Sequence, residues 1–275
     1  MTRAAGSDSA CVVRNNVTLA GVETGRPMLF AHGFGCDQSM WRLVAPAFAQ
    51  THRIVLFDHV GAGGSDRSAY DFERYGSLDA YAEDVLELCR ALALEDVVLV
   101  GHSVSAMIGT LAVREEPDRF RALVMVSPSP RYVDDDGYVG GFSAADIDEL
   151  LESLASNYLG WSSQLAPVIM GNPDRPELGD ELTNSFCRTD PDIAQQFARV
   201  TFRSDTRAEL ADVRVPTLVL QCAQDAIAPR AVGEFVHRAV PGSSYALLDA
   251  TGHCPNLSAP RETIAAIAAF LAGRG

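Results

Sequence analysis

Short, nearly unbroken apolar runs alternate along this chain with longer segments whose apolar residues recur every three or four positions. The runs Met28-Leu29-Phe30-Ala31, Arg53-Ile54-Val55-Leu56-Phe57, Val97-Val98-Leu99-Val100, Val215-Pro216-Thr217-Leu218-Val219-Leu220-Gln221 and Ser244-Tyr245-Ala246-Leu247-Leu248 read as strands buried in a sheet. Helical spacing follows over Ala106 to Ala112, around His237, and from about Pro260 to Leu271. Strands and helices in this alternation predict an α/β protein whose mostly parallel central sheet is flanked by helices.

The alternation lapses between Ser127 and Val213, where nothing reads as a core strand. Within that stretch, Ser143 to Asn157 carries Ile147, Leu150, Leu151 and Leu154 at helical spacing with acids between them, the pattern of a helix with one wet face. Further helices are expected around Ser162 to Met170, Glu177 to Phe186 and Pro191 to Phe202. The reading is therefore a core at 1–130, an inserted lid of about four helices at 131–205, and the rest of the core at 206–275. From Arg131 to Asp190 twelve acids face three arginines, a net of −9 that accounts for most of the chain's −14. Such a face either keeps the protein soluble or docks a basic partner.

Val97 to Val100 runs straight into Gly101-His102-Ser103-Val104-Ser105 and then into the helical stretch. A serine at an abrupt strand-to-helix turn resembles the nucleophile elbow of α/β-hydrolases, G-x-S-x-G, except that Ser105 takes the place of the last glycine. Small residues are needed at both ends because the strand and helix backbones pass close together. A serine that merely caps a helix would look the same locally, so the decision rests on residues downstream.

A serine nucleophile needs a base to take its proton and an acid to orient that base, in the chain order Ser, Asp or Glu, His. Asp225 follows the strand at 215–221, and His253 lies in the loop Ala250-Thr251-Gly252-His253-Cys254-Pro255 after the strand at 244–248. Both sit past the carboxyl ends of strands, where open α/β sheets place their sites. Of the other histidines, His52 and His59 flank the strand at 53–57 and His102 lies within the elbow, all before the acid, while His237 comes after it but lies in a helix. Phe34, in His32-Gly33-Phe34-Gly35, and Val104, after the nucleophile, are placed to donate backbone N–H groups to an oxyanion. The glycine-rich Asp58-His59-Val60-Gly61-Ala62-Gly63-Gly64-Ser65-Asp66 lacks G-x-G-x-x-G and reads as a turn beside the elbow, with Ser65 and Asp66 in structural roles.

Several longer stretches carry a resemblance. They are His32-Gly33-Phe34-Gly35-Cys36-Asp37-Gln38, Gly101-His102-Ser103-Val104-Ser105-Ala106-Met107-Ile108-Gly109, Ser127-Pro128-Ser129-Pro130-Arg131-Tyr132, Asn157-Tyr158-Leu159-Gly160-Trp161, Phe186-Cys187-Arg188-Thr189-Asp190-Pro191, Leu220-Gln221-Cys222-Ala223-Gln224-Asp225 and Gly252-His253-Cys254-Pro255. Together they resemble the RsbQ-like α/β-hydrolases, the group that also includes the plant karrikin and strigolactone receptors. Ser105 in the elbow is shared by that group. The resemblance implies a core hydrolase with a helical lid, the triad Ser103, Asp225 and His253, and oxyanion donors Phe34 and Val104. It also implies a regulatory phosphatase partner of the kind coupled to RsbQ-like proteins in stress-response signalling.

Composition narrows the chemistry. All 22 basic residues are arginine, so Schiff-base chemistry and a phosphate-loop lysine are excluded. Net charge of −14 argues against nucleic acid, whose phosphates need a basic surface. No run approaches the roughly 18 apolar residues of a membrane span, and Met1 to Ala10 has no hydrophobic segment behind it, so a cytoplasmic protein is expected. The six cysteines include no C-x-x-C pair, Cys254 reads as packing, and no histidine spacing offers a metal or cofactor site.

The expectation is a serine hydrolase acting on a small apolar ester or lactone through an acyl-enzyme. Phe34, His102, Phe142, Trp161, Phe186 and Phe197 are the expected pocket lining. A slow or single-turnover small-molecule sensor that binds a protein through its lid is the alternative. C–C hydrolases and perhydrolases use the same triad and stay open at this point, whereas a haloalkane dehalogenase would place aspartate at position 103.

Overall fold

A computed structural model of the chain describes residues 9–273, so the reading of the leader Met1 to Ala10 falls largely outside the described residues. In chain order the strands are β1 (Thr18–Gly21), β2 (Arg26–Ala31), β3 (His52–Leu56), β4 (Val97–His102), β5 (Phe120–Val126), β6 (Thr217–Gln224) and β7 (Ser244–Thr251). They form one sheet in the order β1-β3-β2-β4-β5-β6-β7, antiparallel only where β1 meets β3. The helices are α1 (Ala10–Arg14), α2 (Leu78–Ala91), α3 (Val104–Glu115), α4 (Ala144–Ser156), α5 (Tyr158–Met170), α6 (Pro176–Arg188), α7 (Pro191–Phe202), α8 (Arg230–Ala239), α9 (Pro255–Ser258) and α10 (Pro260–Ala272).

Strand β4 is buried at every position, which is why its sequence is apolar without a polar alternate. Successive side chains point to opposite faces. Val97 and Leu99 pack with α2, α3 and α8 through Val85, Leu88, Met107, Ile108 and Val236. Val98 and Val100 face the other way, into the layer that holds Trp41, Val44, Ile267 and Phe270. The result is a three-layer core with β4 near its centre.

Between β5 and β6 the chain leaves the sheet for α4 to α7. Helix α4 starts at a capping box, Ser143 accepting from the Asp146 N–H while the Asp146 carboxylate accepts from the Ser143 N–H, and buries Ile147, Leu151 and Leu154 on one face. The insertion leaves and rejoins the core at adjacent points. The Ser127 N–H donates to Leu220 O at 2.8 Å, the Thr206 N–H to Pro130 O at 2.8 Å, and Arg131 pairs with Asp205 at 2.8 Å.

Candidate active site

Ser103 sits between β4 and α3 with φ 56° and ψ −124°, a region that residues with a side chain seldom enter. The turn is tight enough to dictate its neighbours. A Cβ on Gly101 would lie 2.2 Å from the Ser105 carbonyl oxygen, so only glycine fits there. The Ser103 N–H donates to Val126 O at 2.8 Å and its carbonyl accepts from Ala106 N at 2.9 Å, which fixes the strained residue from both sides.

Ser105 fits where a glycine was expected because its hydroxyl has partners. It donates to His32 O and lies 2.8 Å from His59 Nε2. His32 in turn accepts from the His59 N–H at 3.0 Å. Burial holds both imidazoles below their ordinary value, His59 well below it, so this knot under the elbow is neutral. The turn at 58–66 therefore does adjoin the elbow, and Ser65 holds it by accepting from Gly61 N and donating to Ala62 O.

The three residues singled out for acyl transfer converge. His253 Nε2 is 2.7 Å from Ser103 Oγ, and His253 Nδ1 is 2.8 Å from Asp225 Oδ2. Because the carboxylate accepts from Nδ1–H, Nε2 is left with a lone pair facing the hydroxyl. The Asp225 side chain is fully buried. Burial acts to raise its pKa, but the facing His253 and the N–H groups of Ala228 and Ile227, at 3.0 and 2.8 Å from Oδ1, outweigh it and hold the carboxyl below its ordinary value.

The backbone of His253 is clamped from two directions. His102 Nε2–H donates to His253 O at 2.8 Å from the core side, and the His253 N–H donates to Ile169 O at 2.8 Å on α5. Burial, reinforced by His253, lowers His102 to about 3, so His102 acts as a neutral strut. The loop at 32–35 approaches closely: a Cβ on Gly33 would lie 3.3 Å from Ser103 Cβ. Among the described residues, neither the Phe34 nor the Val104 amide donates to a backbone acceptor in a turn or cap.

A narrow cavity of about 410 Å³ of empty space, its mouth included, opens above Ser103 and His253. Phe34, Cys36, His102, Ile227 and Cys254 line it from the core, and Tyr132, Ile169, Leu182, Phe186, Thr201 and Phe202 from the insertion. Burial pushes the Cys36 thiol up to about 12 and raises Cys254 as well, so both are protonated wall groups.

Phe34, His102 and Phe186 were expected in this wall, whereas Phe142, Trp161 and Phe197 lie outside it. Trp161 packs behind Phe34 and Phe186, edge-on to the first at 6.2 Å and tilted against the second at 5.4 Å between ring centroids. Phe197 points toward the core and stacks on Tyr81 at 4.5 Å. Phe142 is half-buried at the root of the insertion, bridged to Val133. Conversely, Tyr132, whose hydroxyl lies 3.4 Å from Ser103 Oγ, and the pair Thr201 and Phe202 were not foreseen. Tyr132 sits in the stretch Ser127 to Tyr132 that carried the resemblance, a signal that was available.

The family model for the alpha/beta hydrolase family matches residues 28–267. The chain belongs to that family. A strigolactone esterase of Arabidopsis thaliana is 40% identical over 249 residues, covering 90% of this chain and 92% of the relative. A karrikin insensitive 2 receptor (form CA) of Petunia hybrida is 39% identical over 238 residues, covering 86% and 88%. Among solved structures, a hydrolase from Oleispira antarctica superimposes with a TM-score of 0.93 at 39% identity, covering 96% of each chain. With esterases among its relatives, this alpha/beta hydrolase is an ester-hydrolysing enzyme. None of its described helices is long and apolar enough to cross a membrane.

Proposed function

We propose that Ser103, His253 and Asp225 are the catalytic triad of this hydrolase and that its substrate is a small apolar ester or lactone. The observation that carries the reading is the unbroken relay from the Ser103 hydroxyl through His253 to Asp225, at 2.7 and 2.8 Å. His253 takes the serine proton as Oγ bonds to the carbonyl carbon. The resulting oxyanion is held by the Phe34 and Val104 amides, and the proton passes from His253 to the departing alkoxide. Water, deprotonated by His253, then cleaves the acyl-serine. Residues 131–205 act as the lid that closes this chemistry from above.

Ser103→Ala is expected to lower turnover of 4-nitrophenyl acetate by about 10³-fold or more, with the wild type alone showing an acyl adduct at Ser103 by mass spectrometry. Undiminished turnover in the variant would remove Ser103 from the mechanism.

A second reading rests on the receptor relatives. In it, turnover is slow and a ligand-loaded lid recruits a protein, as in an RsbQ-like stress-response pathway with a regulatory phosphatase partner. The similarity to a karrikin receptor over 86% of the chain favours it. Ligand-dependent capture of such a partner by a Ser103→Ala variant would separate sensing from hydrolysis.

A further inference from the structure

The roof of the cavity carries one polar side chain that the protein itself leaves unused. Thr201, near the end of α7, is 1% exposed, lines the same cavity as Ser103 and His253, and its hydroxyl has no hydrogen-bond partner among the described residues. A buried hydroxyl without a partner is costly, and native folds seldom leave one so.

The omission is specific to this position. Threonine in a helix ordinarily satisfies its hydroxyl by donating to the carbonyl four residues back. The other three helical threonines among the described residues do so: Thr110 to Ala106 O at 3.0 Å, Thr183 to Gly179 O at 2.9 Å and Thr263 to Ala259 O at 2.9 Å. The equivalent carbonyl for Thr201 belongs to Phe197, yet the hydroxyl forgoes it. Apart from Tyr132, whose hydroxyl is directed at Ser103 Oγ, the rest of the insertion's wall is apolar, with Ile169, Leu182, Phe186 and Phe202.

We infer that Thr201 is a specificity-determining residue that donates a hydrogen bond to a second oxygen of the substrate, separate from the carbonyl attacked by Ser103. This rests on the hydrolytic reading above and refines its substrate class. The ester or lactone carries a further ether or carbonyl acceptor, placed where the lid meets it while the core holds the reacting carbonyl. Floor and roof each bind one oxygen, so an all-hydrocarbon acyl or alcohol chain strands the Thr201 hydroxyl when it displaces the water that would otherwise satisfy it.

The test uses hexanoate esters and hexyl esters in which single methylenes of the acyl or alcohol chain are replaced in turn by an ether oxygen. Acid release is followed for wild type, Thr201→Val and Thr201→Ser. Wild type is expected to favour at least one ether over its hydrocarbon parent. In Thr201→Val the ratio of the two kcat/KM values should fall about three- to tenfold, the worth of one neutral hydrogen bond, while Thr201→Ser keeps it. Absence of any ether preference in wild type, its persistence in Thr201→Val, or equal loss in both variants would overturn the assignment. If wild type hydrolyses no ester of the series, the hydrolytic reading itself fails, an outcome distinct from the three just named.

Discussion

Below the cavity, main-chain atoms set the geometry. Ser103 is pinned through Val126 and Ala106, and Gly101 leaves no room beside the Ser105 carbonyl. Above it, the insertion presents mostly side chains: Leu182, Phe186, Thr201 and Phe202. The insertion's main chain also contributes, through Ile169 O, which holds the His253 N–H. The backbone of that turn leaves no room for a side chain at Gly101. A roof built of side chains can be reshaped at the cost of local packing, so under the proposed function changes in the insertion would alter substrate choice more than reaction type.

The contrast is open to experiment. Asp225→Asn probes the floor and should give the largest effect, a loss of about 10⁴ in kcat for any ester tested, because the amide no longer fixes the His253 tautomer. A loss that varied widely between esters would show that the floor, too, selects substrate. Phe186→Ala probes the roof. Phe186 is 1% exposed and packs on Phe34 and Trp161, so removing its ring should cost about 3–5 kcal/mol in urea unfolding. In the protein that remains folded, the ranking of esters should change more than the rate on a compact one such as 4-nitrophenyl acetate.

The smallest effect is on pH. An unfolded His102 binds a proton below about 6.5, whereas the folded one, lowered to about 3, does not, so stability falls as pH drops between these values. Between pH 6.5 and pH 5 this amounts to about 2 kcal/mol for His102 alone. The depressed Asp225 carboxyl acts in the same direction at still lower pH. Urea midpoints measured across that range check the slope, and a His102→Asn variant that retained the full slope would assign it elsewhere.

Much of the floor was legible because its signals are local. An apolar run ending in Gly101 to Ser105, an acid and a histidine past later strands, and a short loop at 32–35 each announce themselves within a few residues. Helix α4 was legible for the same reason, from the helical spacing of Ile147, Leu150, Leu151 and Leu154 with acids between them. Strand β1 was not, since its four residues are half-buried or exposed and carry no buried run. The pocket wall was legible only in part. Trp161 and Phe197 were expected to line the pocket; both are buried helix residues, but which of their neighbours meets the cavity depends on how each helix is rotated. That rotation is set by partners distant in sequence, Tyr81 for Phe197 and Phe34 for Trp161. Thr201 went unnoticed because a helical threonine looks self-satisfied until the carbonyl it ignores is known.

The seam where Thr206 meets Pro130 and Arg131 meets Asp205 has an evolutionary corollary. Everything threaded between these points leaves and returns through the same doorway, so recombination there can trade one canopy for another while the sheet and its reacting groups stay in register. An exchange of that kind would change what lies above the sheet without disturbing its strand order.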